Sequence, residues 1–166
     1  MTISCLHFNA RGYISKENLI KDLVQTERPD IISLQETFLS DESQEKIKLN
    51  GYHVTEFRRP RSTDKGGMAL CIKESISRVK TEKITTNKNN EYIKMELVIS
   101  NQKLEVASFY NRRSNDIDTT EIDKLLKSNT VVFGDLNCRH QHWEDITSNS
   151  GGKKLSKRKP FYFFPY

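Results

Sequence analysis

Cysteine is scarce in this chain, long apolar runs are missing, and outside one short stretch there is no excess of charge. The three cysteines, Cys5, Cys71 and Cys138, are widely spaced and odd in number. That excludes the disulfide framework of small secreted domains and fits reduced, intracellular thiols. No apolar run approaches the ~18 residues of a membrane span. Met1-Thr2-Ile3-Ser4-Cys5 is not a basic segment leading into an apolar one, so no secretory signal is expected either. Net charge is +5, from 27 basic and 22 acidic residues. Lys153, Lys154, Lys157, Arg158 and Lys159 lie after Gly151 with no acid among them. The body is therefore neutral, and affinity for nucleic acid cannot be argued from global charge. Several chemistries are also missing. There is no Walker A loop, no strand-linked G-x-G-x-x-G and no G-x-S-x-G elbow. Cys138, His140 and His142 are spaced too tightly for a zinc-finger histidine pair.

What is present suits one folded domain. The chain has 166 residues, of which 42 are Leu, Ile, Val or Phe. That quarter lies above the ~20% that marks disorder, and about two thirds of the unfolded surface can be buried at this length. The pattern alternates strands and helices. Thr2–Phe8 reads as a strand. Ser15 is an N-cap candidate for a helix with Leu19, Ile20, Leu23 and Val24 on its apolar face, stopped by Pro29. Asp30–Gln35 reads as a buried strand, and 41–48 as a largely solvated helix. Extended segments follow at Tyr52–Phe57, Met68–Ile72, Glu91–Ile99 and Leu104–Tyr110, with a hairpin turn at Ser100–Lys103. Asp118 and Glu121 form a capping-box pattern before a helix bearing Ile122, Leu125 and Leu126. Thr130–Phe133 is a β-branched strand leading into Gly134-Asp135. The fold class expected is α/β with mixed sheets. Residues 156–166, basic and then aromatic, read as a tail unrelated to a domain at 1–155.

Polar residues recur at strand C-termini: Asn9, Glu36, Asn111, Asp135 and Asn137. Ligand sites of α/β sheets favour those ends. Two carboxylates among amides make an oxygen-rich set that suits a hard cation such as Mg²⁺, with water and substrate phosphate completing its shell. Singly, each is an ordinary turn residue. Arg58, Arg59, Arg61 and Lys65 precede Gly66-Gly67, and Arg112 and Arg113 follow Tyr110-Asn111. Guanidinium groups pair bidentately with phosphate, so Arg59, Arg112 and Arg113, with Asn111, are candidate substrate contacts.

These residues carry a resemblance. Phe8-Asn9-Ala10-Arg11-Gly12, then Pro29-Asp30-Ile31-Ile32-Ser33-Leu34-Gln35-Glu36-Thr37 and Gly66-Gly67-Met68-Ala69-Leu70 resemble the endonuclease/exonuclease/phosphatase superfamily. Tyr110-Asn111 and Gly134-Asp135-Leu136-Asn137 continue it. The extension Asn137-Cys138-Arg139-His140-Gln141-His142-Trp143 is similar to the endonuclease domain of jockey-like, LINE-type non-LTR retrotransposons, and Asn149 to Leu155 extends that likeness. The resemblance implies a DNase I-like, four-layer α/β sandwich and metal-dependent phosphodiester hydrolysis, with Mg²⁺ (or Mn²⁺) as the ion. Its partner would be the phosphate backbone of DNA, with no membrane and no small-molecule cofactor. Glu36 and Asn9 would hold the metal. Asp135 would prepare the attacking water, Asn137 would orient the phosphate, and Tyr110 would hydrogen-bond a phosphate oxygen. His140 would support them.

One departure accompanies the resemblance. The family closes on a Ser-Asp-His whose histidine contacts the scissile phosphate, whereas here no His follows His142 and the last Asp is Asp145. The resemblance then implies an incomplete second sheet and impaired nicking. A nucleic-acid-binding remnant and another phosphoesterase of the superfamily are the competing readings. A DNA substrate would place the protein in the nucleus, and a parent polyprotein would add a reverse transcriptase.

Overall fold

The computed structural model describes residues 2–60, 66–87, 89–113, 117–127, 130–143 and 145–158. Its strands are β1 (Cys5–Asn9), β2 (Ile31–Gln35), β3 (Tyr52–Phe57), β4 (Met68–Lys73), β5 (Ser77–Asn87), β6 (Asn90–Ile99), β7 (Gln102–Asn111) and β8 (Thr130–Asp135). Its helices are α1 (Tyr13–Glu27), α2 (Thr119–Lys127) and α3 (Ser150–Leu155), with a 3₁₀ turn at Gln141–Trp143. Two four-stranded sheets form, in the orders β1-β2-β4-β3 and β5-β6-β7-β8. The β1–β2 and β7–β8 pairs are parallel, and the other pairs are antiparallel.

Strand alternation builds three cores from this topology. Ile31, Met68, Leu70 and Ile72 of the first sheet face Ile93, Met95, Leu97 and Val106 of the second. The opposite side of β2 and β4, with Ile32, Leu34, Ala69 and Cys71, packs on Tyr13, Ile20 and Val24 of α1. Tyr92, Ala107 and Phe109 on the far side of the second sheet meet Ile122 and Leu125 of α2 and Leu155 of α3. The layers run α/β/β/α, as the resemblance implies. Covered on both faces, β2 is buried throughout, which explains its continuous apolar run. Full burial of a side chain such as Leu70 contributes about 1.5–3 kcal/mol. No helix among the described residues is long and apolar enough to cross a membrane.

The expected α/β elements appear with four corrections. Residues 41–48 form no helix. Their backbone groups are taken instead by side chains of β3 and its continuation: Arg58 donates to the carbonyls of Ser40 and Ser43 at 3.2 and 2.9 Å, and Glu56 accepts the Ile47 N–H at 2.7 Å. Helix α1 starts earlier than a Ser15 cap allows. Gly12 takes the N-cap position, and the Ser15 hydroxyl donates to its carbonyl at 2.9 Å. Leu19, expected on the apolar face, is 53% exposed. Strand β5 has no counterpart in the sequence reading because it is an edge strand whose charges hide its alternation, with Lys80 and Lys94 on Glu82. Short α3 was likewise unforeseen.

Other local readings hold. Ser100 and Asn101, both at positive φ, make the two-residue hairpin loop between Ile99 and Gln102. Asp118 Oδ1 accepts the Glu121 N–H at 3.0 Å. Of the expected tail, Ser156–Arg158 are described: Ser156 caps α3, and Arg158 pairs with Asp123 of α2 at 2.8 Å. Its remainder, 159–166, and the loop residues Arg61 and Lys65 lie outside the described residues.

Candidate active site

The chain ends of β1, β2, β7 and β8 meet at one rim of the sandwich. In the parallel β7–β8 register Tyr110 lies opposite Asp135, and in β1–β2 Asn9 lies opposite Gln35, one residue before Glu36. Side chains then tie the two sheets together. Asn9 Nδ2 donates to Asp135 Oδ2 at 3.0 Å, and the Tyr110 hydroxyl donates to Glu36 Oε1 at 3.1 Å. Asp135 Oδ1 also accepts the Asn137 N–H at 3.1 Å. Five residues proposed from the sequence therefore meet at this rim in two hydrogen-bonded groups, Asn9–Asp135–Asn137 and Tyr110–Glu36, which the Tyr110–Asp135 register sets side by side.

Backbone strain fixes two of them. Glu36 has φ 51 and Asn137 φ 49. For a glutamate this left-handed conformation costs on the order of 1–2 kcal/mol. The neighbouring backbone imposes it: Gly12 donates to the Glu36 carbonyl at 2.8 Å, while Thr37 and Phe38 donate to the carbonyls of Gly67 and Gly66. The two halves of the sequence motif thus clamp Glu36 from either side. Gly134 serves Asp135 similarly. At φ 138 it lies against β7 so closely that a Cβ there would come within 2.0 Å of the Phe109 carbonyl oxygen.

The electrostatics follow from burial. Tyr110 is only 3% exposed. Burial, then the Glu36 carboxylate beside it, pushes its phenol well above the usual range, so it remains a hydrogen-bond donor at neutral pH. Burial also lowers the His7 imidazole, against the opposing pull of Asp135. His7 Nδ1 lies 3.3 Å from Ser33 Oγ, which lies 2.7 Å from Ser108 Oγ. Gln35 Nε2 donates to both serines, at 3.1 and 2.9 Å. This polar layer between the sheets escaped the sequence reading. Its one signal was Ser and Gln placed inside the buried strand Ile31–Gln35.

The remaining proposed residues take different places. Asn111 is fully buried; its Nδ2 donates to the Leu136 carbonyl at 2.7 Å, and its own carbonyl accepts Asn137 Nδ2 at 2.7 Å. It holds the loop rather than facing solvent. Arg59, expected at a phosphate, instead pairs through Nε and Nη2 with Glu91 Oε2 at 2.9 and 2.8 Å. Glu91 is 1% exposed, and burial raises its carboxyl despite Arg59. Arg112 is half-buried near Glu91 and Tyr110, and Arg113 is exposed. His140 stands beside His142 and Trp143, with ring centroids 4.5 and 5.5 Å away, and its N–H donates to Asp145.

The donor set at the rim is all oxygen and amide, which fits a hard divalent cation. Glu36 and the Asn9 amide oxygen could hold it, with Asp135 alongside. The nearby Cys138 thiol is turned to the Leu136 carbonyl and pushed up to about 12 by burial, which leaves it a poor ligand. Among the described residues, no three His, Cys, Asp or Glu groups cluster to enclose an ion. Waters and substrate oxygens would complete the shell, an arrangement that Mg²⁺ favours.

Two facing sheets flanked by helices, with acidic and amide side chains gathered at one rim, define a DNase I-like fold. Residues 6–165 match the Endonuclease/Exonuclease/phosphatase family, and the chain belongs to it. Nucleases of that family generally use a divalent metal. Solved structures agree on the fold. A humanized D. rerio TDP2 superimposes with a TM-score of 0.67 at 17% identity, over 95% of this chain and 78% of that one. The human Nocturnin catalytic domain gives 0.64 at 19% identity, over 87% and 69%. The Xenopus laevis APE2 catalytic domain gives 0.65 at 15% identity, over 93% and 67%.

Proposed function

We propose that the protein is a Mg²⁺-dependent phosphodiesterase that nicks DNA, of the kind found in jockey-like non-LTR retrotransposons. The observation that carries this reading is the pair of bonds Asn9–Asp135 and Tyr110–Glu36, which bring the acidic residues of both sheets to one rim. Two further points support it: the retrotransposon-like run Asn137–Trp143, and a D. rerio TDP2 structure of the same fold complexed with a single-strand DNA product. The protein acts inside the cell, on nuclear DNA.

A divalent ion at Glu36 and Asn9 would supply charge against the phosphate and lower the pKa of a bound water. The chain's own groups do the rest. Asp135, oriented by Asn9 and by the Asn137 amide, is placed to accept a proton from the attacking water. Asn137 presents an amide to the phosphate. Tyr110, kept protonated, offers its O–H to a phosphate oxygen when it turns from Glu36. Arg112 and Arg113 bind flanking phosphates.

Incubation of supercoiled plasmid with the protein, with Mg²⁺ or with EDTA, tests the reading. Open circles that need Mg²⁺ support it. Salt-dependent DNA binding without nicking points to the binding remnant. Hydrolysis of a small phosphate ester with plasmid left intact points to another phosphoesterase.

A further inference from the structure

We propose that Asn149, at the start of α3, is a positioning residue that holds Asn137 in its phosphate-facing conformation. The proposal rests on the role given to Asn137 above. Asn137 lies on an exposed loop at φ 49, a conformation that needs external support. Two supports come from β8 and β7. The Asn137 N–H donates to Asp135, and its Nδ2 donates to the Asn111 carbonyl. The third comes from Asn149, whose Nδ2 donates to the Asn137 carbonyl at 3.0 Å.

Asn149 is itself fixed. Its Oδ1 accepts the N–H of Gly152 at 2.8 Å and that of Arg139 at 3.2 Å, and its own N–H donates to the Arg139 carbonyl at 3.0 Å. It therefore bridges α3 to both ends of the stretch 137–139. The helix presses on that stretch directly, since a Cβ on Gly152 would fall 1.8 Å from the Arg139 carbonyl oxygen. Leu155, fully buried beside Leu136 and Ile122, anchors the helix in the core. Anchored by that contact, α3 serves as the rigid backing of the Asn137 loop.

Capping and positioning use different halves of the Asn149 side chain. A cap needs only an acceptor, and Asp serves there as well as Asn. The hold on Asn137 needs the amide donor. Asn149→Asp therefore keeps the cap and removes the hold, while Asn149→Ala removes both. Two readouts on the full chain decide, namely amide exchange of Asn137 in ¹⁵N-labelled protein and plasmid nicking with Mg²⁺. We expect Asn149→Asp to melt with the parent yet exchange the Asn137 amide at least about tenfold faster. Its kcat falls about 10–100-fold while KM stays unchanged. Asn149→Ala also melts lower. Parental exchange at Asn137 in Asn149→Asp overturns the proposal, as does parental kcat. If the parent nicks nothing, the proposed function fails, and exchange alone decides whether Asn149 positions Asn137.

Discussion

Asn9 and Asp135, 126 residues apart in sequence, share a hydrogen bond of 3.0 Å that spans the two sheets. The contact joins the last residue of β1 to the last of β8, two parallel-paired edge strands. Neither sheet alone carries the site. Chemistry at this rim therefore depends on how the sheets are docked as much as on the residues themselves.

The acidic pair should be indispensable. Glu36→Gln and Asp135→Asn each preserve shape while removing a charge. Each is expected to lower Mg²⁺-dependent nicking by at least about 10²-fold, the scale of losing a positioned acid or base. Melting temperature should change little for Glu36→Gln, whose remaining oxygen still accepts from Tyr110, and should fall modestly for Asp135→Asn, which keeps one of its two acceptor oxygens. Plasmid nicking read beside a thermal melt checks this.

Gly134→Ala should act through the fold. The new methyl group would meet the Phe109 carbonyl oxygen at 2.0 Å, and the residue sits at φ 138. Strands β7 and β8 would have to part, at a cost above about 3 kcal/mol. Urea denaturation against the parent measures it. Loss of nicking without loss of stability would contradict the account.

How much of this was legible in the sequence follows from what each residue answers to. Glu36 and Asp135 could be read because each ends a short apolar run, and the end of a buried strand is visible in composition. Strand β5 was not legible, because its charges pair along an exposed edge and no apolar alternation records them. The segment 41–48 looked helical because local spacing cannot show that Glu56 and Arg58, 9 and 15 residues beyond Ile47 and Ser43, take its backbone groups. Arg59 illustrates the same limit from the other side. A guanidinium in a loop reads as a phosphate contact until a partner such as Glu91 appears across the fold.

That pairing gives a third prediction. Arg59→Ala leaves Glu91 buried without its guanidinium partner, which should destabilise the protein by about 3 kcal/mol. Arg113→Ala, at an exposed position, should leave stability unchanged and reduce the slope of log affinity for DNA against log salt by about 0.7–0.9. Denaturation curves and a salt series of binding isotherms on both variants separate the two roles.

Alkaline stability has a definite sign. Burial raises the Cys71 thiol and the Tyr92 phenol, and it carries the Tyr13 phenol up to about 12. A group whose pKa is higher when folded holds its proton more tightly in the native state. Its stabilisation is complete below the unfolded pKa, about 8.5 for a thiol and about 10 for a phenol, and is lost as pH rises beyond that. Stability should therefore hold up to about pH 8.5 and decline above it. Burial raises the Cys5 and Cys138 thiols as well, so replacing all three cysteines by Ala, and not Cys71 alone, should delay the onset of decline toward about pH 10. Urea midpoints between neutral pH and pH 11 test this, and a flat profile would contradict it.

Titration of the ¹⁵N-labelled protein with substoichiometric Mn²⁺ tests the central claim most directly, since a paramagnetic ion erases amide signals close to it. Signals of Ala10, Glu36, Tyr110 and Leu136 should vanish first and together, and Glu36→Gln should need far more Mn²⁺ for the same loss. Broadening centred elsewhere, or unchanged by Glu36→Gln, would show that the rim does not gather a divalent ion.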